Sequence, residues 1–259
     1  KTQIDLFSLN SNVLQISEYI KVSPCNAEAA QVVGIRGLMD ENLLTRDLPL
    51  GLEGEGEIVG VADTGLSTGD PATVNPAFCD PTFFDKVIAT FPVSNWRDQD
   101  EYGNPHGHGT HVAGTICGTG TGYSGGSLRY KGMAPKAKLV AQRFLYSGVY
   151  DNPFNLFLEA YQNGVRVHNN SWGKRSDEGE YSIDSVWIDG FCWEYKDMAI
   201  VKSAGNERDG YWYEDSDEWH HVPYDPFNIS LGGGSACKNI TVVGATENDK
   251  NDPQHPCNP

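Results

Sequence analysis

A histidine set among small residues stands in Pro105–Thr115, PHGHGTHVAGT. Gly107 and Gly109 admit close approach to His108, and Thr110, Ala113, Gly114 and Thr115 keep the face that follows slim. Upstream, the apolar run in Val59–Gly65 (VGVADTG) ends on Asp63, and downstream lie Val167–Gly173 (VHNNSWG) and Lys202–Asn206 (KSAGN). These residue types form a chemical set. A buried carboxylate can orient an imidazole and stabilise its protonated form, and the imidazole can act as a general base. A side-chain amide such as that of Asn206 can donate to a developing oxyanion. Exposed backbone at Ser171, Trp172 and Gly173 could pair with an extended peptide as an added strand. The chemistry indicated is acyl transfer.

Each piece also has a plain structural reading. Asp63 lies in Asp-Thr-Gly, an ordinary turn sequence, and Asn206 suits a helix N-cap or a turn. Ser171–Gly173 could be a turn with Trp172 in the core. His106, His108 and His111 spell HxHxxH, which raises a zinc site as a rival. At helical spacing, however, His108 and His111 share a face, while His106 falls in the preceding loop.

Positioning these groups calls for strands and helices in alternation. Ile58–Ala62 reads as a short strand buried on both faces, and further strands are expected at Lys86–Phe91, Lys138–Phe144, Val165–Asn169, Ala199–Ala204 and Ile240–Ala245. Helices are expected at His108–Cys117, at Phe154–Asn163 with Gly164 as its stop, and at Ser182–Asp197. Short helices are also expected at Val13–Ile20 and Ala27–Met39. The pattern implies an α/β fold with a mainly parallel sheet and helices on both faces. In such sheets functional groups collect beyond the carboxyl ends of strands, where Asp63 and Asn206 would both lie.

Composition narrows the classes. The 259 residues carry 29 glycines, 14 prolines and a net charge of −16. That charge opposes nucleic-acid binding, because phosphates would be repelled. No apolar run nears the roughly 18 residues that span a bilayer. The acidic run Glu207–Glu218 (ERDGYWYEDSDE) reads as a solvated loop, with clustered carboxylates for calcium as the alternative. Six dispersed cysteines (Cys25, Cys79, Cys117, Cys192, Cys237 and Cys257) lack metal-ligand spacing and are compatible with extracellular disulfides. Buried free thiols are the alternative, for Cys117 above all. Sequons begin at Asn169, Asn228 and Asn239.

VADTG, HGHGTHVAG, NNSWG and SAGN, in this order and spacing, resemble the subtilisin-like serine proteases, the subtilases. The likeness runs from about Asn26 to Asn248 and includes the GATEN that ends at Asn248. The fine pattern is most similar to the large, oxidant-resistant alkaline branch and to related eukaryotic transporter-linked proteases. The resemblance implies a subtilisin-like fold and serine-type endopeptidase activity on polypeptide substrates. Asp63 would be the triad acid, His108 the base, Asn206 the oxyanion donor, and Ser171–Gly173 part of the substrate pocket. His106 and His111 would have no triad role. No cofactor is implied for catalysis. Structural calcium is implied without assignable ligands, and so is a location outside the cell or in the secretory-pathway lumen.

One member of the pattern is missing. Subtilases carry their nucleophile in a G-T-S-x-A-x-P motif after the other two groups, and no such motif occurs here. Ser235, in GGGSAC, directly precedes a family-like strand, and Ser127, in GGSLRY, lies between the histidine and asparagine motifs; both are in the wrong place. The expectation is that residues 25–259 are the N-terminal part of a subtilase catalytic domain, incomplete at its C-terminal side and inactive alone. A noncatalytic, peptide-binding pseudoprotease is the alternative. Residues 1–24 are either an N-terminal extension or a propeptide remnant, since VLQISEYIKV resembles a propeptide end.

Overall fold

The computed structural model describes residues 29, 33, 52–79, 81–121, 131–145, 147, 150, 152–173, 179–205 and 234–245, with the backbone of 211–215 and 218–222. Its centre is a parallel sheet of six strands: β1 (Ile58–Asp63), β2 (Val87–Phe91), β3 (Lys138–Arg143), β4 (Val167–Asn170), β5 (Ala199–Ser203) and β8 (Thr241–Val243), in the order β2-β3-β1-β4-β5-β8. Its helices are α1 (Phe83–Lys86), α2 (His108–Cys117), α3 (Pro153–Gln162) and α4 (Ile183–Glu194). The expected Val13–Ile20 helix lies outside the described residues. Of Ala27–Met39 only Ala29 and Val33 are described, joined by a helical bond from the Val33 N–H to the Ala29 carbonyl at 3.0 Å.

β1 is central because alternate residues of its apolar run face two cores. Val59 and Val61 join Leu139, Ala141, Phe78, Trp96, Ala113 and Cys117 on one side, where α2 packs. Ala62 joins Val140, Leu156, Phe157, Ile188, Phe191 and Ile200 on the other, where α3 and α4 pack. Helices thus cover both faces, which is why the strands read as continuous apolar runs rather than alternating ones. Gly60, in mid-strand, leaves room for the His168 ring, whose Cδ2 would lie 2.5 Å from an added Cβ.

Helix ends follow local chemistry. The Asn152 side chain accepts from the Asn155 N–H at 3.1 Å, with Pro153 at the first helical position of α3. Gly164, at φ +87°, ends that helix as expected.

Part of the acidic run, Tyr211–Asp215 and Glu218, is strand where a loop is expected. Its residues enter an antiparallel hairpin of β6 (Tyr211–Asp215) and β7 (Glu218–Val222), with Tyr211 opposite Val222 and Asp215 opposite Glu218. Aromatic residues favour extended backbone, and Tyr211, Trp212 and Tyr213 supply that preference in β6. The cysteines are also informative: Cys79, Cys117, Cys192 and Cys237 are free thiols, Cys117 fully buried. Cys25 and Cys257 lie outside the described residues. Among the described residues no helix is long and apolar enough to cross a membrane.

Candidate active site

Because every strand of the main sheet runs the same way, the C-terminal ends of β1, β4 and β5 share one edge. Ala62 pairs with Asn170, and Asn170 with Lys202, so the three ends are level. Asp63 closes β1, Ser171 follows β4, and Ala204–Gly205 follow β5. Asn206 itself lies outside the described residues.

α2 delivers His108 to this edge through an unusually close approach. A Cβ on Gly109 would stand 2.3 Å from the Gly65 carbonyl oxygen and 3.0 Å from the Asp63 Cβ. Without a side chain there, the first turn of α2 settles onto the end of β1. Gly65, at φ +132°, permits the turn beneath it; an added Cβ would sit 2.3 Å from the Arg97 carbonyl oxygen.

The result is a hydrogen bond of 2.6 Å between His108 Nδ1 and Asp63 Oδ1. The acid is 1% exposed, whereas the imidazole side chain is 46% exposed. Asp63 Oδ1 also accepts from the Thr64 N–H at 2.7 Å. Asp63 Oδ2 is buried with no hydrogen-bond partner among the described residues. Burial pushes the Asp63 carboxyl above the ordinary carboxylate range, while the bonds from His108 and Thr64 oppose that rise. A carboxylate on Nδ1 fixes the tautomer and leaves Nε2 as the basic nitrogen. The pair is suited to taking a proton from a hydroxyl and passing it on.

The remaining expected residues fall as follows. His106 Nδ1 accepts from the His108 backbone N–H at 3.3 Å, and its ring stands nearly perpendicular to that of His108, 6.2 Å away. His111 is exposed on α2. Trp172 is 7% exposed and packs its ring 4.5 Å from Phe144, so its side chain belongs to the core. Ser171 Oγ accepts from the Asn169 amide at 3.0 Å, and Gly173 is exposed. Ser235 is buried and donates to the Ser203 carbonyl at 3.0 Å, so its hydroxyl is engaged in structure. Ser127 lies outside the described residues.

Two groups carried no role in the sequence. Lys202, 1% exposed, donates from Nζ to the Trp172 carbonyl and stands 4.3 Å above the Trp172 ring. Burial lowers it to about 8. A buried lysine inside KSAGN has no sequence signature, since its partner is a carbonyl thirty positions away. Asp98, 3% exposed, links the loops around the acid–base pair, again through contacts distant in sequence. No three His, Cys, Asp or Glu side chains converge as metal ligands among the described residues. The calcium implied by the resemblance therefore has no carboxylate cluster there.

The chain is 30% identical over 209 residues to the serine protease/ABC transporter B family protein tagB of Dictyostelium discoideum, covering 76% of this chain and 10% of that protein. It is 29% identical over 241 residues to the minor extracellular protease Vpr of Bacillus subtilis, covering 88% and 27% respectively. It is 30% identical over 166 residues to the major intracellular serine protease of the same organism, covering 62% and 46%. The chain thus spans a tenth to under half of these relatives' lengths. Residues 54–256 match the Subtilase family, Peptidase_S8, and with that match over most of its length the chain belongs to the subtilase family.

Proposed function

We propose that this chain holds the acid and base of a serine endopeptidase whose nucleophilic serine is supplied by sequence outside these 259 residues. The observation that carries the reading is the 2.6 Å bond from a half-exposed His108 to a buried Asp63 at the end of a central strand. Such a pair is suited to accept a proton at Nε2 while the buried carboxylate stabilises the resulting imidazolium. His108 takes the proton of the attacking serine hydroxyl as its oxygen adds to the scissile carbonyl carbon. The Asn206 amide donates to the tetrahedral oxyanion. His108 then returns the proton to the leaving amine, and water completes hydrolysis of the acyl-enzyme by the same route. The substrate is an extended polypeptide, paired in part with backbone at Ser171–Gly173. Residues 25–259 belong to the catalytic domain, and the parent protein works outside the cytosol. Calcium rests on the resemblance alone.

The test is serine-directed labelling. The 259-residue chain alone, incubated with a fluorophosphonate probe and with casein, is expected to show neither labelling nor cleavage. Loss of the nucleophile alone removes on the order of 10⁶ in turnover in this chemistry. The parent protein with a downstream serine motif is expected to do both, and mutating that serine to alanine abolishes both. Labelling of the 259-residue chain would refute the assignment of the nucleophile. A parent protein that binds peptide but has no reactive serine would make it a pseudoprotease.

A further inference from the structure

The first turn of α2 lacks its own cap. The residue before it is Gly107, at φ +93°, which has no side chain to satisfy the free N–H groups of that turn. Three side chains outside the helix supply acceptors, one from the loop that leads into it and two from distant segments. His106 Nδ1 takes the His108 N–H, Thr64 Oγ1 takes the Gly109 N–H at 2.9 Å, and Asp98 Oδ2 takes the Thr110 N–H at 2.8 Å. Thr64 is the neighbour of the acid, so the cap ties the base's helix to the acid's strand.

Asp98 determines the direction of these bonds. Each threonine hydroxyl has a single proton. That of Thr64 goes to Asp98 Oδ1 at 2.6 Å, a far better bond than the 3.2 Å contact it makes with Asp63 Oδ1. With its proton committed to Asp98, Thr64 Oγ1 turns its lone pairs to the Gly109 N–H. The Thr110 hydroxyl likewise donates to Asp98 Oδ2, and its oxygen accepts from the Ser67 N–H at 2.7 Å. An acceptor-only group is required at both ends. A carboxylate meets that need, and it also favours the positive end of the α2 dipole.

We propose that Asp98 is a positioning residue for the acid–base pair, holding the Thr64 and Thr110 hydroxyls as acceptors so that the first turn of α2 keeps His108 against Asp63. The proposal rests on Asp63 and His108 being that pair, and its role is distinct from Asp63's own. Asp98→Asn is nearly isosteric but places an NH₂ group against one of the donors. One threonine must then rotate or one helix N–H must go unpaired.

The experiment has two arms. Proton NMR of the 259-residue chain reads the far-downfield Nδ1–H resonance of a histidine bonded to a carboxylate, with no need for turnover. Asp98→Asn is expected to broaden or lose that resonance. In the parent protein it is expected to lower kcat by roughly ten- to a hundredfold, with KM changed less than twofold. Thr64→Val is expected to behave like Asp98→Asn, and Thr64→Ser to behave like the unsubstituted chain. A sharp, unshifted resonance and unchanged kcat in Asp98→Asn would overturn the proposal. If Asp98→Asn does not fold, the Thr64 pair decides, because equal spectra for valine and serine would overturn it too. A normal resonance in the unsubstituted chain, with no hydrolysis by the parent protein, would count against the endopeptidase reading while leaving the positioning role intact.

Discussion

Asp63 is held against the preference of its surroundings. Burial favours its neutral form, yet the work assigned to it requires a carboxylate, and the His108 and Thr64 donors restrain the shift without cancelling it. A carboxyl raised in the folded state binds its proton more tightly there than in the unfolded chain. Its contribution to stability is therefore complete below the unfolded value, about 3.9, and is lost as pH rises through the folded value. Asp63→Asn removes that charge at almost constant shape. Against the unsubstituted chain, it is expected to gain relative stability in urea unfolding between pH 4 and pH 8. In the parent protein, the same variant is expected to lose on the order of 10⁴ in kcat, because an amide stabilises the wrong imidazole tautomer. A variant that unfolds with an identical pH profile would show that the burial cost lies elsewhere.

At the scale of elements, β4 carries a second histidine in a very different setting. His168 is fully buried, bonds Gln142 Oε1 at 2.9 Å, and is pushed down to about 3 by burial. In the unfolded chain it titrates near 6.5. For a lowered value the contribution is present above the unfolded pKa and lost as pH falls toward the folded one. Stability is thus expected to fall from about pH 6.5 down toward pH 3, by up to roughly 1.4 kcal/mol per pH unit. His168→Gln, followed by urea midpoints across that range, should flatten the acid limb; parallel curves would exclude His168 as its source. Much of this architecture was legible in the sequence. Ile58–Ala62, Lys138–Phe144 and Ala199–Ala204 carry apolar runs that only a sheet covered on both faces can bury. The α2 span was legible as well, since His108–Cys117 carries a face of small residues that can pack closely on a sheet. The β6–β7 hairpin was not, because the consecutive aromatic residues Tyr211, Trp212 and Tyr213 show no period-two alternation and stand among carboxylates. Asp98 has no local signature for a different reason: its partners lie 34 and 12 positions away, and nothing nearby in sequence marks a carboxylate that caps another element's helix.

Across the whole molecule, the net charge of −16 sets a background against which the subtilase fold must hold together. Self-repulsion among surface carboxylates weakens the compact state and is screened by salt. Urea midpoints are therefore expected to rise between about 10 mM and 300 mM sodium chloride, where the Debye length shrinks several-fold. A midpoint that falls or stays level would show that local ion pairs such as Lys131–Glu53 and Arg166–Asp197 outweigh the global field. The contact between Gly109 and Gly65 has its own bearing on how this chain could be engineered. A glycine-to-alanine scan of helices is a standard route to thermostability, with gains of about 0.4–1 kcal/mol per compatible site. Gly190 in α4, with nothing within 4 Å of an added Cβ, is such a site. Gly109 looks the same on a helical wheel, yet a single methyl group there would lift His108 from Asp63. Stabilising substitutions and the proposed active site thus compete for the same kind of residue, and only the packing beneath each glycine tells them apart.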